Sequence, residues 1–131
     1  MTKVITLHFY GYTWEEYAFQ ISNMKGIFVV FSGKLIEDGN IGLCKILYIG
    51  YHAGISELYE NQIIDKLKPL MNSNERIFFS FSEIPHGEDY KIIESKLNIA
   101  VNPSFKRIFE PLAISVRIIC EGSRGLLPKE V

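Results

Sequence analysis

The sequence predicts a small α/β domain of the mixed α+β kind, with a mainly antiparallel central sheet flanked by helices. The chain has 131 residues, the usual size of one domain, and 47% of them are hydrophobic, which is enough for one core. Continuous runs of β-branched and aromatic residues alternate with segments of helical spacing. One long hairpin followed by a helical crossover favours a mixed sheet that is largely antiparallel.

The N-terminal elements are predicted to be a strand and a short helix. Val4–Tyr10 alternates loosely between apolar and polar residues and is rich in strand formers, and Gly11 ends it. Thr13 is a suitable cap for a helix over Trp14–Ile21, whose first turn carries two glutamates, where acidic groups suit the helix dipole.

A long β-hairpin is the next predicted unit. Gly26–Phe31 is a continuous β-branched and aromatic run, typical of a buried strand, and Leu43–Tyr51 is a second such run. Between them, Ser32–Gly42 is polar and contains glycine, which favours a loop. We expect the two runs to pair antiparallel.

The second half of the chain is predicted to alternate helix and strand. The elements are a helix over Ser56–Met71 with Pro69 in its last turn, a strand over Arg76–Ile84, a helix over Glu88–Ala100 and a strand over Ala113–Cys120. Residues 1–121 are therefore expected to form one domain with its core at 26–103. Residues 122–131 have the composition of a frayed, flexible tail.

Charge and composition narrow the function classes. The net charge of −1 weighs against tight, non-specific DNA binding by this chain alone, because phosphate neutralisation needs a basic surplus. No apolar run approaches the roughly 20 residues that span a bilayer, and no signal-peptide pattern opens the chain, so we expect a cytoplasmic protein without a membrane partner. Cys44 and Cys120 lie in apolar segments and are expected to be buried, reduced thiols rather than part of a zinc site.

A set of residues between Gly26 and Asn102 resembles the GIY-YIG nuclease superfamily. Gly26-Ile27-Phe28 stands at the first tripeptide, and Tyr48-Ile49-Gly50 matches the second. A helix, a strand, a helix carrying Glu94 and then Asn102 beside a proline follow in the family's order. The upstream segment 11–16 also resembles the lead-in of some small bacterial members. The resemblance implies a β-β-α-β-α core, to which this chain adds an N-terminal and a C-terminal strand.

The resemblance further implies a phosphodiesterase site that uses a divalent metal, usually Mg²⁺. Carried over by position, Tyr48 is the catalytic nucleophile or base, Glu94 is the catalytic metal ligand, and Asn102 supports the site. His52 is an auxiliary candidate two residues beyond the tripeptide. Phosphoryl transfer needs a base, a cation and a metal, and a tyrosine with a pKa near 10 becomes a base only if nearby cations lower that pKa.

The sequence departs from the family at two catalytic positions. Phe28 lacks the hydroxyl of the first tyrosine, and Leu58 stands where the family has an arginine. Gln62, four residues further, takes the place of a histidine or similar polar group and shares a helix face with Leu58, off the buried stripe. That face meets either the ancestral site or a partner. Arg76 and Arg107 are the two candidates to replace the missing arginine.

Three hypotheses stay open at this point. The first is a divergent GIY-YIG-type domain that has lost or weakened its activity and binds a protein partner or a second copy of itself. The second is an active Mg²⁺-dependent DNA endonuclease that uses Tyr48, Glu94 and His52. The third is an unrelated α/β domain, in which Tyr48 is a core aromatic and Glu94 a solvated helix residue; separation of the strands that carry Phe28 and Tyr48 would establish it.

Overall fold

A four-stranded antiparallel sheet forms the centre of the structure, a computed structural model that describes residues 2–14, 25–36, 40–52, 63–123 and 125–131. The strands are β1 (Lys3–His8), β2 (Tyr10–Trp14), β3 (Gly26–Leu35), β4 (Ile41–His52), β5 (Arg76–Glu83) and β6 (Val116–Glu121). The helices are α1 (Ile63–Leu67), which runs into a 3₁₀ turn at Lys68–Leu70, and α2 (Tyr90–Val101). The large sheet has the order β2-β5-β3-β4, and β1 pairs in parallel with β6. The mixed α+β class is confirmed.

Strand β3 lies between β4 and β5 and is antiparallel to both, as the two apolar runs predicted for β3 and β4. Phe28 lies opposite Gly50 on one side and Phe81 on the other, and Val30 lies opposite Tyr48. The strands that carry Phe28 and Tyr48 are therefore adjacent, so the separation that would have established an unrelated domain is not observed.

The two faces of β3 enter two different apolar clusters, which explains why its segment Gly26–Phe31 is continuously apolar. Alternate residues of a strand point to opposite faces, so a strand that is covered on both sides needs apolar residues throughout. One face packs with β1, β6 and α2, and the other packs with α1. In the part of the chain that the structure describes, no helix is long and apolar enough to cross a membrane.

Several predicted boundaries differ from the observed ones. The loop predicted over Ser32–Gly42 is much shorter, because Ser32 and Gly33 still pair with both neighbouring strands. Trp14 ends strand β2 opposite Phe78 rather than starting a helix, and the rest of that predicted helix lies outside the described residues. The helix predicted from Ser56 is described only from Ile63.

The end of the chain is packed, which differs from the flexible tail that its composition predicted. Leu126 and Leu127 are buried in the larger core cluster. Val131 exchanges backbone hydrogen bonds with Ile118, and the Cys120 N–H donates to the Lys129 carbonyl. This segment covers the outer edge of β6, because paired backbone groups and two buried leucines outweigh the polar composition around them.

The two cysteines lie in different environments. Cys120 is buried as predicted, and burial raises its pKa to about 11. Cys44 is exposed, which contradicts the expectation that both thiols would be buried. It lies in an exposed part of β4, Leu43–Lys45, ahead of the buried run that begins at Leu47.

Candidate functional site

Tyr48 lies flat along strand β4, over the glycine of its own tripeptide. A Cβ atom at Gly50 would stand 2.5 Å from the Tyr48 hydroxyl oxygen, so only glycine leaves room for the ring. Tyr48 is 6% exposed, and its ring makes an edge-on contact with Phe105, with ring centroids 5.9 Å apart. The Tyr-x-Gly spacing thus has a direct packing explanation.

Helix α2 reaches the edge of β4 through two polar side chains. The Tyr51 N–H donates to Glu94 Oε2 at 2.9 Å. One turn later, Asn98 Nδ2 donates to the Ile49 carbonyl at 3.0 Å and to the Glu94 carbonyl at 2.8 Å. Residues four apart share a helix face, so Glu94 and Asn98 together satisfy backbone groups that an edge strand would leave unpaired.

The chain that follows α2 continues along the same edge. The N–H groups of Ser104 and Phe105 donate to the carbonyls of Ile46 and Leu47 at 3.0 Å and 2.8 Å. These two bonds fix the direction of the segment, which then carries Arg107 back towards Tyr48. The segment has no repeating pattern that would reveal this course from sequence.

Arg107 supplies a cation at the position where the tyrosine and the glutamate meet. Its Cζ lies 4.5 Å from the centroid of the Tyr48 ring, and its Nη2 lies 3.6 Å from Glu94 Oε2. The same Nη2 donates to the Ile49 carbonyl, which also accepts from Asn98. One side chain therefore touches both predicted catalytic residues.

The ion pair is partly enclosed: the Arg107 side chain is 27% exposed and the Glu94 side chain 17%. Burial raises the pKa of Tyr48, the Arg107 charge lowers it and the Glu94 charge raises it, with burial the largest of the three effects. The net direction is upward, so Tyr48 is a neutral phenol at physiological pH. This is the opposite of what a tyrosine base requires.

The metal that the resemblance implies does not fit this arrangement. Among the described residues, no group of three or more histidine, cysteine, aspartate or glutamate side chains is placed to hold a metal ion. Glu94 Oε2 already accepts from the Tyr51 N–H and faces the Arg107 guanidinium at 3.6 Å. A divalent cation on this oxygen would stand next to a like charge, which raises the free energy of binding. We therefore derive no chemical step through a metal.

The remaining motif residues have structural roles. A Cβ at Gly26 would collide with the Ser82 carbonyl oxygen of β5, so this glycine permits close strand pairing. Phe28 is fully buried and packs against Phe81. Asn102 ends α2 in the left-handed conformation, with φ of 58°, and its Oδ1 accepts from Lys106 Nζ at 2.7 Å.

Two of the predicted positions lie outside the described residues. These are Leu58 and Gln62. The backbone of His52 pairs with Gly26 at the end of β4, but its side chain is outside the described part of the structure. Of the two candidate arginines, Arg107 enters the site and Arg76 does not.

Sequence reasoning missed Asn98 and the stacked pair Tyr51–Tyr90, whose ring centroids are 4.0 Å apart. Asn98 follows Glu94 by four residues, and that spacing was the available signal. No comparable signal marks the tyrosine pair, because its two members come from different elements.

Comparison with known proteins adds no relative: no protein-family model, no curated protein and no solved structure matches this chain.

Proposed function

We propose that this chain is a divergent GIY-YIG-type domain, cytoplasmic, that has lost or strongly weakened its phosphodiesterase activity and serves as a binding or interaction module. The observation that carries the proposal is that Arg107 forms an ion pair with Glu94 and also packs over the ring of the buried Tyr48. The phenol, the carboxylate and the guanidinium that a phosphodiesterase site would use are therefore in contact with one another through Arg107.

The chemistry of phosphate cleavage supports this view. A tyrosine that attacks or activates water must be reached by the substrate and must lose its proton. Tyr48 is 6% exposed, and its pKa is raised. Phe28, which takes the place of the family's first tyrosine, brings no hydroxyl to help it. The cost of opening the site would therefore be added to the barrier of any reaction there.

An active Mg²⁺-dependent DNA endonuclease is the second candidate. It is favoured by one observation: Arg107 places a guanidinium 4.5 Å from the Tyr48 ring centroid, where it could take over the role of the arginine that Leu58 replaces. This candidate requires the Glu94–Arg107 pair to separate so that Arg107 turns to phosphate and Glu94 to the metal. The chain's net charge of −1 does not favour DNA as a partner.

The decisive experiment is a nicking assay on supercoiled and on branched DNA with Mg²⁺ or Mn²⁺. We expect no cleavage by the purified protein and no rise in its melting temperature when Mg²⁺ is added. Metal-dependent nicking that disappears in Glu94→Ala but persists in Glu110→Ala, an exposed control, would overturn the proposal in favour of the nuclease. Sedimentation analysis of the same sample tests whether the partner is a second copy of the chain.

A further inference from the structure

A separate cavity of about 400 Å³ opens near the C-terminal end of strand β3, where Arg76 pairs with Gly33. Its walls are formed by Trp14, Lys68, Met71, Asn72, Ser73, Glu75, Arg76 and Ile77. Arg76 pairs with Gly33, three positions along β3 from Val30, the partner of Tyr48. At about 3.3 Å per strand residue the two sites lie about 10 Å apart along the sheet. The volume is within the range of about 300–1,000 Å³ that small-molecule sites occupy.

The cavity contains a flat, charged stacking surface. The guanidinium carbon of Arg76 lies 4.3 Å from the centroid of the Trp14 ring. Among the described residues, Arg76 forms no ion pair with a carboxylate. A guanidinium stacks on aromatic rings and still keeps its edge donors for an anion, so a stacked Arg–Trp pair can hold a ring and a charge together.

The electrostatic balance of the cavity favours an anion. Lys68 and Arg76 contribute two positive charges and Glu75 one negative charge. Glu75 is turned towards Asn72, whose N–H donates to Oε1 at 2.9 Å and whose Nδ2 lies 3.5 Å from Oε2. The hydrogen bond from the Asn72 N–H is the largest influence that lowers the pKa of Glu75, and the charges of Lys45 and Lys34 act in the same direction. The Glu75 carboxylate is thus already compensated, whereas among the described residues Lys68 and Arg76 form no ion pair.

The apolar part of the wall excludes a bare inorganic anion as the best fit. Met71, Ile77 and the Trp14 ring offer surface that a small hydrated ion cannot cover. A ring without a charge would leave Lys68 and Arg76 uncompensated. The ligand that satisfies both parts of the wall has a flat ring and an anionic group a few ångströms away from it.

We propose that this cavity binds a small anion that carries a planar ring, of the chemical class of a mononucleotide. The ring stacks on the Trp14–Arg76 pair, and the phosphate accepts hydrogen bonds from Lys68 and from the N–H groups of the Arg76 guanidinium. This inference uses none of the residues of the Tyr48 site and does not depend on the function proposed for it.

The test uses Trp14 as its own reporter, because it is the single tryptophan of the chain. Adenosine 5′-monophosphate is titrated into the 131-residue protein while tryptophan emission is followed, with calorimetry as a second measurement of the dissociation constant. We expect a saturable change, weakened by added salt. Adenosine without phosphate, and inorganic phosphate without a ring, should each bind at least about tenfold more weakly.

Two substitutions assign the binding to the cavity. Arg76→Gln and Lys68→Gln should each weaken nucleotide binding about tenfold, the effect of losing one charge-assisted hydrogen bond. Lys66→Gln is the matched control, since Lys66 is an exposed lysine two residues from Lys68 that does not line the cavity. If Arg76→Gln fails to fold, Lys68→Gln at its exposed position decides the question.

Three results would overturn the proposal. One is the absence of saturable binding by both measurements. The second is inorganic phosphate binding as tightly as the nucleotide, which would mean that the ring is not recognised. The third is equal weakening by Lys66→Gln and Lys68→Gln, which would show a diffuse charge effect.

Discussion

In the part of the chain that the structure describes, two arginines, Arg76 and Arg107, lie over aromatic rings, and they differ in how many other groups they contact. Arg107 over Tyr48 is tied to a carboxylate and to a backbone carbonyl. Arg76 over Trp14 borders a cavity and has no carboxylate partner among the described residues. The first pair is a closed structural contact, and the second forms part of the wall of the proposed binding cavity.

The residues that carry the family resemblance are therefore not the same residues that line the cavity. The Tyr48 end keeps the motif, but its polar groups satisfy the edge of β4. The cavity beside Trp14 matches no motif, yet Lys68 and Arg76 line its wall, where a ligand could reach them.

The largest expected effect comes from filling the space under Tyr48. Gly50→Ala would place a Cβ 2.5 Å from the Tyr48 hydroxyl oxygen, so the ring must leave Arg107. We expect a loss of about 3 kcal/mol in the free energy of unfolding, the upper part of the usual range for overpacking. Chemical denaturation measures it. Gly42→Ala, whose Cβ would meet nothing closer than 3.6 Å, is the control and should change stability by less than about 0.5 kcal/mol.

A smaller loss in the free energy of unfolding is expected when Glu94, the carboxylate partner of Arg107, is removed. Glu94→Ala leaves the Tyr51 N–H without its acceptor and the Arg107 guanidinium without its ion-pair partner, and it should cost about 2 kcal/mol. Arg76→Gln, at the open pair, should cost less, about 0.5 kcal/mol, because it removes the contact with the Trp14 ring but breaks no ion pair among the described residues. Equal losses in the two variants, measured by thermal and denaturant unfolding, would remove the contrast between the two ends.

The smallest expected effect is on the pH dependence of stability. The folded state raises the pKa of Tyr48, chiefly through burial, while the unfolded chain has the ordinary value near 10. Stability contributed by the neutral phenol is therefore fully present below pH 10 and is lost as the pH rises from there through the raised pKa.

Tyr48→Phe should show a shallower loss of stability above pH 10 than the wild-type protein. The contribution of Cys120, whose pKa is raised to about 11, is present in both proteins and cancels in the difference. Parallel stability curves for the two proteins in this pH range would mean that the Tyr48 phenol is not shielded in the folded state.

Much of the architecture followed from local sequence features. The apolar run of β3 predicted a buried strand, the segment Arg76–Ile84 predicted a further strand, and the helical spacing of Ile93 and Leu97 predicted the buried side of α2. Glu94 was found through a motif, and its neighbour Asn98 was within reach of the same helical spacing. These features are periodic, so a single sequence displays them.

Other features were decided by tertiary structure alone. Trp14 is a strand residue because Phe78 of β5 lies opposite it, and Leu126 and Leu127 are buried because β6 has an edge and an apolar face to cover. Both outcomes depend on partners that are distant in sequence, and such partners leave no mark in the local pattern.

Sequence patterns were sufficient to predict the mixed α+β class and the antiparallel pairing of β3 with β4, and they show a residue without a hydroxyl at Phe28 and an uncharged residue at Leu58. Only the tertiary structure decided that Arg107 stands between Tyr48 and Glu94 and that Arg76 borders a cavity. The physical reason is that periodicity records which face of an element is buried. Which charge meets which ring depends instead on the path of the chain between elements, and that path is set by long-range contacts.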